Sequence, residues 1–229
     1  MNIQGYQKLS LLDFPEKTAC TIFTGGCNLR CPFCHNASLV RTPFEVPNKE
    51  TEVLEYLSRR RGLLDGVCVT GGEPLLQPDL TAFTAKLKAM GYLVKLDTNG
   101  TLPDRLRALL ATGTIDYVAM DVKSSLDGYA VAVGCETNTQ KIMESIRLIQ
   151  SSGIAHEFRT TAVKGIHTPA DIEAIARLIG PHSPYFIQGF VDSGNLLGAG
   201  CSAFTETESE QLLSSAKKHD PLSRLRGST

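Results

Sequence analysis

The stretch Ala19-Cys20-Thr21-Ile22-Phe23-Thr24-Gly25-Gly26-Cys27-Asn28-Leu29-Arg30-Cys31-Pro32-Phe33-Cys34-His35-Asn36 carries the reading from which the rest of the chain is organised. Its first six residues are apolar or β-branched, with no glycine, proline or charge, and predict a buried strand. A Gly-Gly turn follows, then three cysteines in the pattern Cys-x3-Cys-x2-Cys. A loop directly after the first strand of an α/β sheet lies at that strand's C-terminal end, where such folds place their chemistry. Three thiolates so spaced can wrap one corner of a cubane iron–sulfur cluster. Three ligands for four irons leave one iron open, as a catalytic metal requires. The competing reading is a zinc site of Cys27, Cys31, Cys34 and His35. Cys34 and His35 are adjacent, and neighbours seldom reach one tetrahedral ion together; no second cysteine pair follows at finger spacing. Zinc ranks second on that ground.

Further strands are expected at Gly66–Thr70, Tyr92–Asp97, Tyr117–Asp121, Glu157–Val163 and Tyr185–Phe190, all short and rich in apolar or β-branched residues. Helical spacing lies between them, in Leu80, Phe83, Leu87 and Met90, in Ile142, Ile146 and Ile149, and in Ile172, Ile175 and Ile179. Pro78, Pro103 and Pro169 sit near helix starts, where a missing N–H costs little. Six β–α units in a row predict an α/β fold with a parallel sheet, short of the eight that close a full barrel. A partial (β/α)6 TIM-like barrel is expected, with a doubly wound sheet as the alternative. No repeat, linker or low-complexity block marks a boundary, so residues 1–229 are expected to be one domain with its core at about 17–216.

Net charge is −1 with a pI near 6.5, which gives no electrostatic case for nucleic acid or a membrane surface. No apolar run approaches the roughly 20 residues that span a bilayer. The opening Met-Asn-Ile-Gln-Gly-Tyr-Gln-Lys lacks a signal-peptide core, and a cytoplasmic protein is predicted. Seven cysteines, three of them within eight residues, do not make a secreted disulfide framework. Cys20 and Cys68 lie in strand-like runs and read as small buried hydrophobes.

Three more strand ends carry polar chemistry. Thr70-Gly71-Gly72-Glu73-Pro74 follows the second strand; its glycines permit close backbone approach and Glu73 adds an acceptor, although such a turn is often only a turn. Asp97-Thr98-Asn99-Gly100 closes the third strand and Met120-Asp121-Val122-Lys123 the fourth. Asp97 also suits a simple helix cap. Arg159, within the fifth, is either an inward fork donor or an outward solvated side chain, and the sequence leaves the two even. His156, His167, His182 and His219 read as loop or surface residues.

Cys-x3-Cys-x2-Cys after a strand, followed one strand later by Gly-Gly-Glu-Pro, resembles the radical S-adenosylmethionine superfamily, whose fold is a partial or full (β/α) barrel. The resemblance implies one [4Fe–4S] cluster on Cys27, Cys31 and Cys34, with S-adenosylmethionine at the open iron. It implies that Gly71, Gly72 and Glu73 receive the methionine amino group. It further implies cofactor contacts from Phe33, His35, Asp97, Asp121, Lys123 and Arg159. By likeness to glycyl-radical-enzyme activases, Asp97, Thr98, Met120 and Asp121 are expected to hold a monovalent cation. Pyruvate formate-lyase activases carry a cofactor-contacting histidine after the sixth strand; this chain reads Ile187-Gln188-Gly189-Phe190, and Gln188 is the nearest polar substitute.

The chemistry implied is one-electron reduction of the sulfonium, release of methionine and hydrogen-atom abstraction by a 5′-deoxyadenosyl radical, with flavodoxin or ferredoxin as electron donor. Cys-Pro-Phe-Cys-His-Asn and the opening Gly5-Tyr6-Gln7-Lys8-Leu9-Ser10-Leu11-Leu12-Asp13-Phe14-Pro15 resemble the longer form of the activases of anaerobic ribonucleoside-triphosphate reductase. That glycyl-radical enzyme is the expected partner. Alternatives are a pyruvate formate-lyase type activase, a small-molecule enzyme such as 7-carboxy-7-deazaguanine synthase, and a zinc-stabilised binding module.

Overall fold

The computed structural model describes residues 1–40, 48–192 and 194–227. Its strands are β1 (Ile3–Ser10), β2 (Ala19–Thr24), β3 (Gly66–Gly71), β4 (Leu93–Thr98), β5 (Tyr117–Asp121), β6 (Ala155–Ala162), β7 (Tyr185–Gly189) and β8 (Arg224–Arg226). Their order in the sheet is the order of the chain. The helices are α1 (Ala37–Val40), α2 (Glu50–Ser58), α3 (Leu80–Ala89), α4 (Pro103–Leu110), α5 (Tyr129–Val133), α6 (Thr139–Ser151), α7 (Pro169–Ile179) and α8 (Glu206–Lys217), with a 3₁₀ turn at Pro74–Leu76. The chain is thus an α/β protein with a mostly parallel sheet, as the alternation of strand-like and helix-like segments required.

Of the six expected strands, β2 and β3 are largely buried on both faces, whereas β6 and β7 alternate buried with half-exposed residues. In β2 every residue except Phe23 is buried, the pattern of a parallel strand covered on both sides. Helical periodicity held where isoleucine supplied it: Ile142, Ile146 and Ile149 of α6 are buried, as are Ile172, Ile175 and Ile179 of α7. Thr168 and Asp171 close a capping box at the start of α7, with Pro169 in its first turn. Cys20 and Cys68 are fully buried, and burial pushes the Cys20 thiol up to about 12.

Two strands were not expected. In β1, Gln7, Lys8 and Leu9 are exposed, so no apolar alternation announces the strand; antiparallel pairing with β2 (Tyr6 opposite Ile22, Gln7 opposite Thr21) makes it one. β8 is three residues long and carries two arginines. It is held by parallel pairing with β7 and by Arg226, whose guanidinium donates to both carboxylate oxygens of buried Glu157 at 2.8 Å and lies 3.7 Å from the Phe186 ring centroid.

The residues fall into two compact units. The first comprises Met1–Asn28, Ser38–Thr98 and Asp104–Val118, and the second Leu29–Ala37, Asn99–Pro103 and Ala119–Thr229. In the first, β2, β3 and β4 are parallel, with Ala19 opposite Gly66 and Gly66 opposite Leu93, so Thr24, Gly71 and Thr98 end on one edge. In the second, β6, β7 and β8 are parallel. Among the described residues no helix is long and apolar enough to cross a membrane.

Arg226→Ala removes two charge-assisted hydrogen bonds from a carboxylate with little access to water. It is expected to cost about 2 kcal/mol in urea unfolding. A loss below about 0.5 kcal/mol would show that the clasp contributes no more than an ordinary surface pair.

Candidate active site

In the first unit the base of the cysteine loop is set by backbone crowding. Gly71 has φ +118°, and a Cβ there would lie 2.3 Å from the Thr24 nitrogen. A Cβ on Gly72 would lie 2.0 Å from the Gly26 carbonyl oxygen. Only glycine permits that approach. It lets Gly72 N–H donate to Thr24 O at 2.9 Å and Glu73 N–H to Gly26 O at 2.8 Å. Gly26 N–H donates to Leu39 O at 2.8 Å and Gln77 Nε2 to Gly25 O at 2.9 Å, so the residues entering Cys27 are held from several sides.

Glu73 is fully buried. Its Oε1 accepts from Leu75 N–H at 3.0 Å, capping the 3₁₀ turn, and from Thr98 Oγ1 at 2.9 Å. One carboxylate thus joins the end of β3 to the end of β4. At the end of β4, Asp97 takes the ammonium of Lys95, which stands two residues earlier on the same face of the strand. Asp97 is therefore an ion-pair partner, a role that helix capping alone did not suggest.

The second unit holds the rest of the loop. Arg30 N–H donates to Val133 O and Gly198 N–H to Pro32 O, at 2.8 and 2.9 Å. Cys34 N–H donates to Cys31 O at 3.1 Å, closing a turn between two of the thiols. Phe33 is buried edge-on to the ring of His167, and His35 packs edge-on to Phe190.

At the end of β5, Asp121 accepts from Arg159 Nε at 2.8 Å and Lys123 Nζ at 3.0 Å. Arg159 therefore points inward, with 12% of its side chain exposed. Burial works to raise the Asp121 carboxyl, but the Arg159 guanidinium and the Lys123 ammonium outweigh it and hold it well below the usual carboxylate range. Burial likewise works against the Lys123 ammonium, and Asp121, then the charge on Cys31 and Cys34, more than restores it. Lys123 is thus a cation placed where thiolates would need one. Gln188 lines a cavity of about 400 Å³ together with Phe190, Phe204 and Glu206.

His167 is a loop residue, between β6 and α7, but it does not lie at the surface. It is 4% exposed. Val163 N–H donates to its Nδ1 at 3.0 Å, so Nε2 carries the proton and donates to Lys123 O at 2.7 Å. The ring is neutral, and burial pulls its pKa down. His156 is also held, between Ile154 O and Ser183 Oγ. Periodicity gave no sign of either, since Lys123 O and Ser183 Oγ come from distant parts of the chain.

None of the seven cysteines is in a disulfide. Among the described residues no three His, Cys, Asp or Glu side chains form a preformed ligand set. The donor chemistry fits an iron–sulfur group: three thiols on one anchored loop, two of them in the field of Lys123. Such sites take their final geometry with the metal.

Residues 21–179 match the radical SAM superfamily. The chain belongs to this superfamily. A Methanocaldococcus jannaschii protein, provisionally named a glycyl-radical enzyme activating enzyme, is 36% identical over 195 residues, covering 82% of this chain and 79% of its own. A solved domain of pyruvate-formate lyase-activating enzyme from Bacteroides vulgatus matches with TM-score 0.55 at 18% identity, over 71% of this chain and 99% of that one. Streptococcus suis SuiB bound to S-adenosylmethionine matches with TM-score 0.68 at 13% identity, over 88% of this chain and 48% of that one. At such identities the likeness to these structures is one of fold. Radical SAM membership implies a [4Fe–4S] cluster and S-adenosylmethionine, the pair to which the cysteine loop is suited.

Gly72→Ala must push back the backbone at Gly26, at a cost of roughly 1–3 kcal/mol. Iron retained after anaerobic reconstitution is expected to fall by more than half. Gly5→Ala, which meets no atom within 4 Å, serves as the control and should leave both quantities unchanged. For His167 the unfolded chain takes up a proton near pH 6.5 while the folded ring resists it, so stability is full above that pH and falls below it. His167→Gln keeps an acceptor and a donor without titrating. The wild-type loss of unfolding free energy between pH 7 and 5.5 should be larger than the variant's, and equal losses would exclude His167 as its source.

Proposed function

We propose that this radical SAM protein is the activating enzyme of a glycyl-radical enzyme, and that its substrate is a backbone glycine of an anaerobic ribonucleoside-triphosphate reductase. The observation carrying the first part is the 36% identity, across 82% of the chain, to the M. jannaschii protein provisionally named for that role. The second part rests on Gly5–Pro15 and Cys-Pro-Phe-Cys-His-Asn, which resemble the longer reductase activases.

In this reading Cys27, Cys31 and Cys34 hold the cluster, and flavodoxin or ferredoxin supplies the electron. When bound, the cluster and S-adenosylmethionine together supply one-electron cleavage of the sulfonium to methionine and a 5′-deoxyadenosyl radical. The protein's part is to bind, orient and shield. Glu73, locked by Leu75 N–H and Thr98, presents a fixed acceptor to the methionine ammonium. Lys123 and Arg159, already aligned on Asp121, present donors to the methionine carboxylate without reorganisation. Phe33 and His35 border the cofactor from the loop, and Gln188 offers an amide where related activases use histidine. No side chain is asked to act as a general base, because a hydrogen atom is transferred and not a proton.

The test is anaerobic. Reduced, reconstituted protein is mixed with S-adenosylmethionine and, in separate samples, with anaerobic ribonucleotide reductase and pyruvate formate-lyase. Electron spin resonance should show a glycine-centred doublet with the reductase, and Cys31→Ala should abolish both the broad absorbance near 400 nm expected of such clusters and the doublet. A doublet only with pyruvate formate-lyase would reassign the partner. A colourless zinc protein would remove the enzyme reading altogether.

A further inference from the structure

Lys95 is a buried lysine, 1% exposed, in the middle of β4. An ammonium in that setting needs a partner, because desolvation costs more than ordinary packing returns. Its partner is Asp97, two residues along on the same face. Cys68, opposite Lys95 in the parallel register with β3, places its Sγ 3.8 Å from Nζ.

Of the four residues expected to ligate a monovalent cation, the two carboxylates are each ion-paired inside their own unit. Asp97 holds the Lys95 ammonium. Thr98 donates its hydroxyl hydrogen to Glu73. Asp121 is held by Lys123 and Arg159. Asp97 and Asp121 thus each already have at least one side-chain cation beside them. A metal cation seeks oxygen ligands whose negative charge is uncompensated. These carboxylates do not offer it.

We propose that Lys95 Nζ is a built-in monovalent cation that takes at Asp97 the place a potassium or sodium ion would occupy, so that S-adenosylmethionine binds without any added monovalent metal. The proposal rests on the likeness to glycyl-radical-enzyme activases, from which the cation expectation comes, and not on which glycyl-radical enzyme is activated. Its test needs no protein substrate, so its failure is separable from failure of the activase reading.

Cluster-reconstituted protein is dialysed to equilibrium against S-adenosylmethionine in choline chloride, KCl or NaCl at equal ionic strength. Wild-type affinity should agree within twofold in all three salts; a tenfold gain in KCl or NaCl would overturn the proposal. Lys95→Met leaves Asp97 without its ammonium. Its affinity in choline should fall at least tenfold and recover in KCl or NaCl; a variant indifferent to the salt and binding like wild type would also overturn it. Lys95→Met combined with Asp97→Asn removes both charges and guards against misfolding of the single variant. The pair should show no response to cation identity, and a response retained there would place the cation elsewhere and defeat the proposal.

Discussion

The close passage of Gly71 and Gly72 against Thr24 and Gly26 is the constraint on which the strand ends of the first unit depend. Two backbones meet there at a distance that no Cβ could share, and two hydrogen bonds, from Gly72 to Thr24 and from Glu73 to Gly26, hold them. The register of β2 and β3 carries this contact to the strand ends, and Glu73 extends it to β4 through Thr98. The cysteine loop leaves from the clamped point, so the direction in which Cys27 departs is fixed by neighbouring backbone and not by the loop's own composition. A flexible loop would have to lose its freedom when the cluster binds. Here much of that freedom is lost when the chain folds.

The second unit organises charge. Asp121 sits between a guanidinium and an ammonium, and each holds the other two groups in their ionised forms against the cost of burial. Val122 N–H donates to Arg159 O and Thr160 Oγ1 donates to Val122 O, so the strands bearing these groups cannot slide apart without breaking backbone bonds. His167 adds a neutral clamp on the Lys123 carbonyl and meets Phe33, within the cysteine loop, at its edge. Donors aligned before a ligand arrives need no reorganisation when it does. In the proposed function, that prior alignment is how the chain would orient its cofactor.

The alternation of buried β-branched strands with isoleucine-faced helices was readable because each element repeats one local period over several residues. Ala19–Thr24 and Tyr117–Asp121 are strands with the bounds their composition suggested. β1 and β8 were not readable, since a polar edge strand and a three-residue Arg-Leu-Arg segment become strands only through their neighbours. The same holds for His167 and Lys95. Nothing in the residues around them says that one reaches the Lys123 carbonyl, or that the other, although two residues from Asp97 on one face, is sealed from water.

The sequence by itself determined the α/β class, the cysteine loop and the polar groups at the strand ends, because strand propensity, helical period and ligand spacing are properties of adjacent residues. Only the tertiary structure decided the state of those groups. Arg159 could have faced solvent, and the pull of Asp121 turned it inward. Asp97 suits a helix cap, and the resemblance assigns it and Asp121 to a bound cation; folding supplied each with side-chain cations from the chain itself. Whether a charged group is vacant or satisfied depends on what the fold brings within about 3–4 Å of it. Lys95 with Asp97 and Lys123 with Asp121 are only two residues apart, but no spacing along the chain encodes the approach of Arg159 to Asp121.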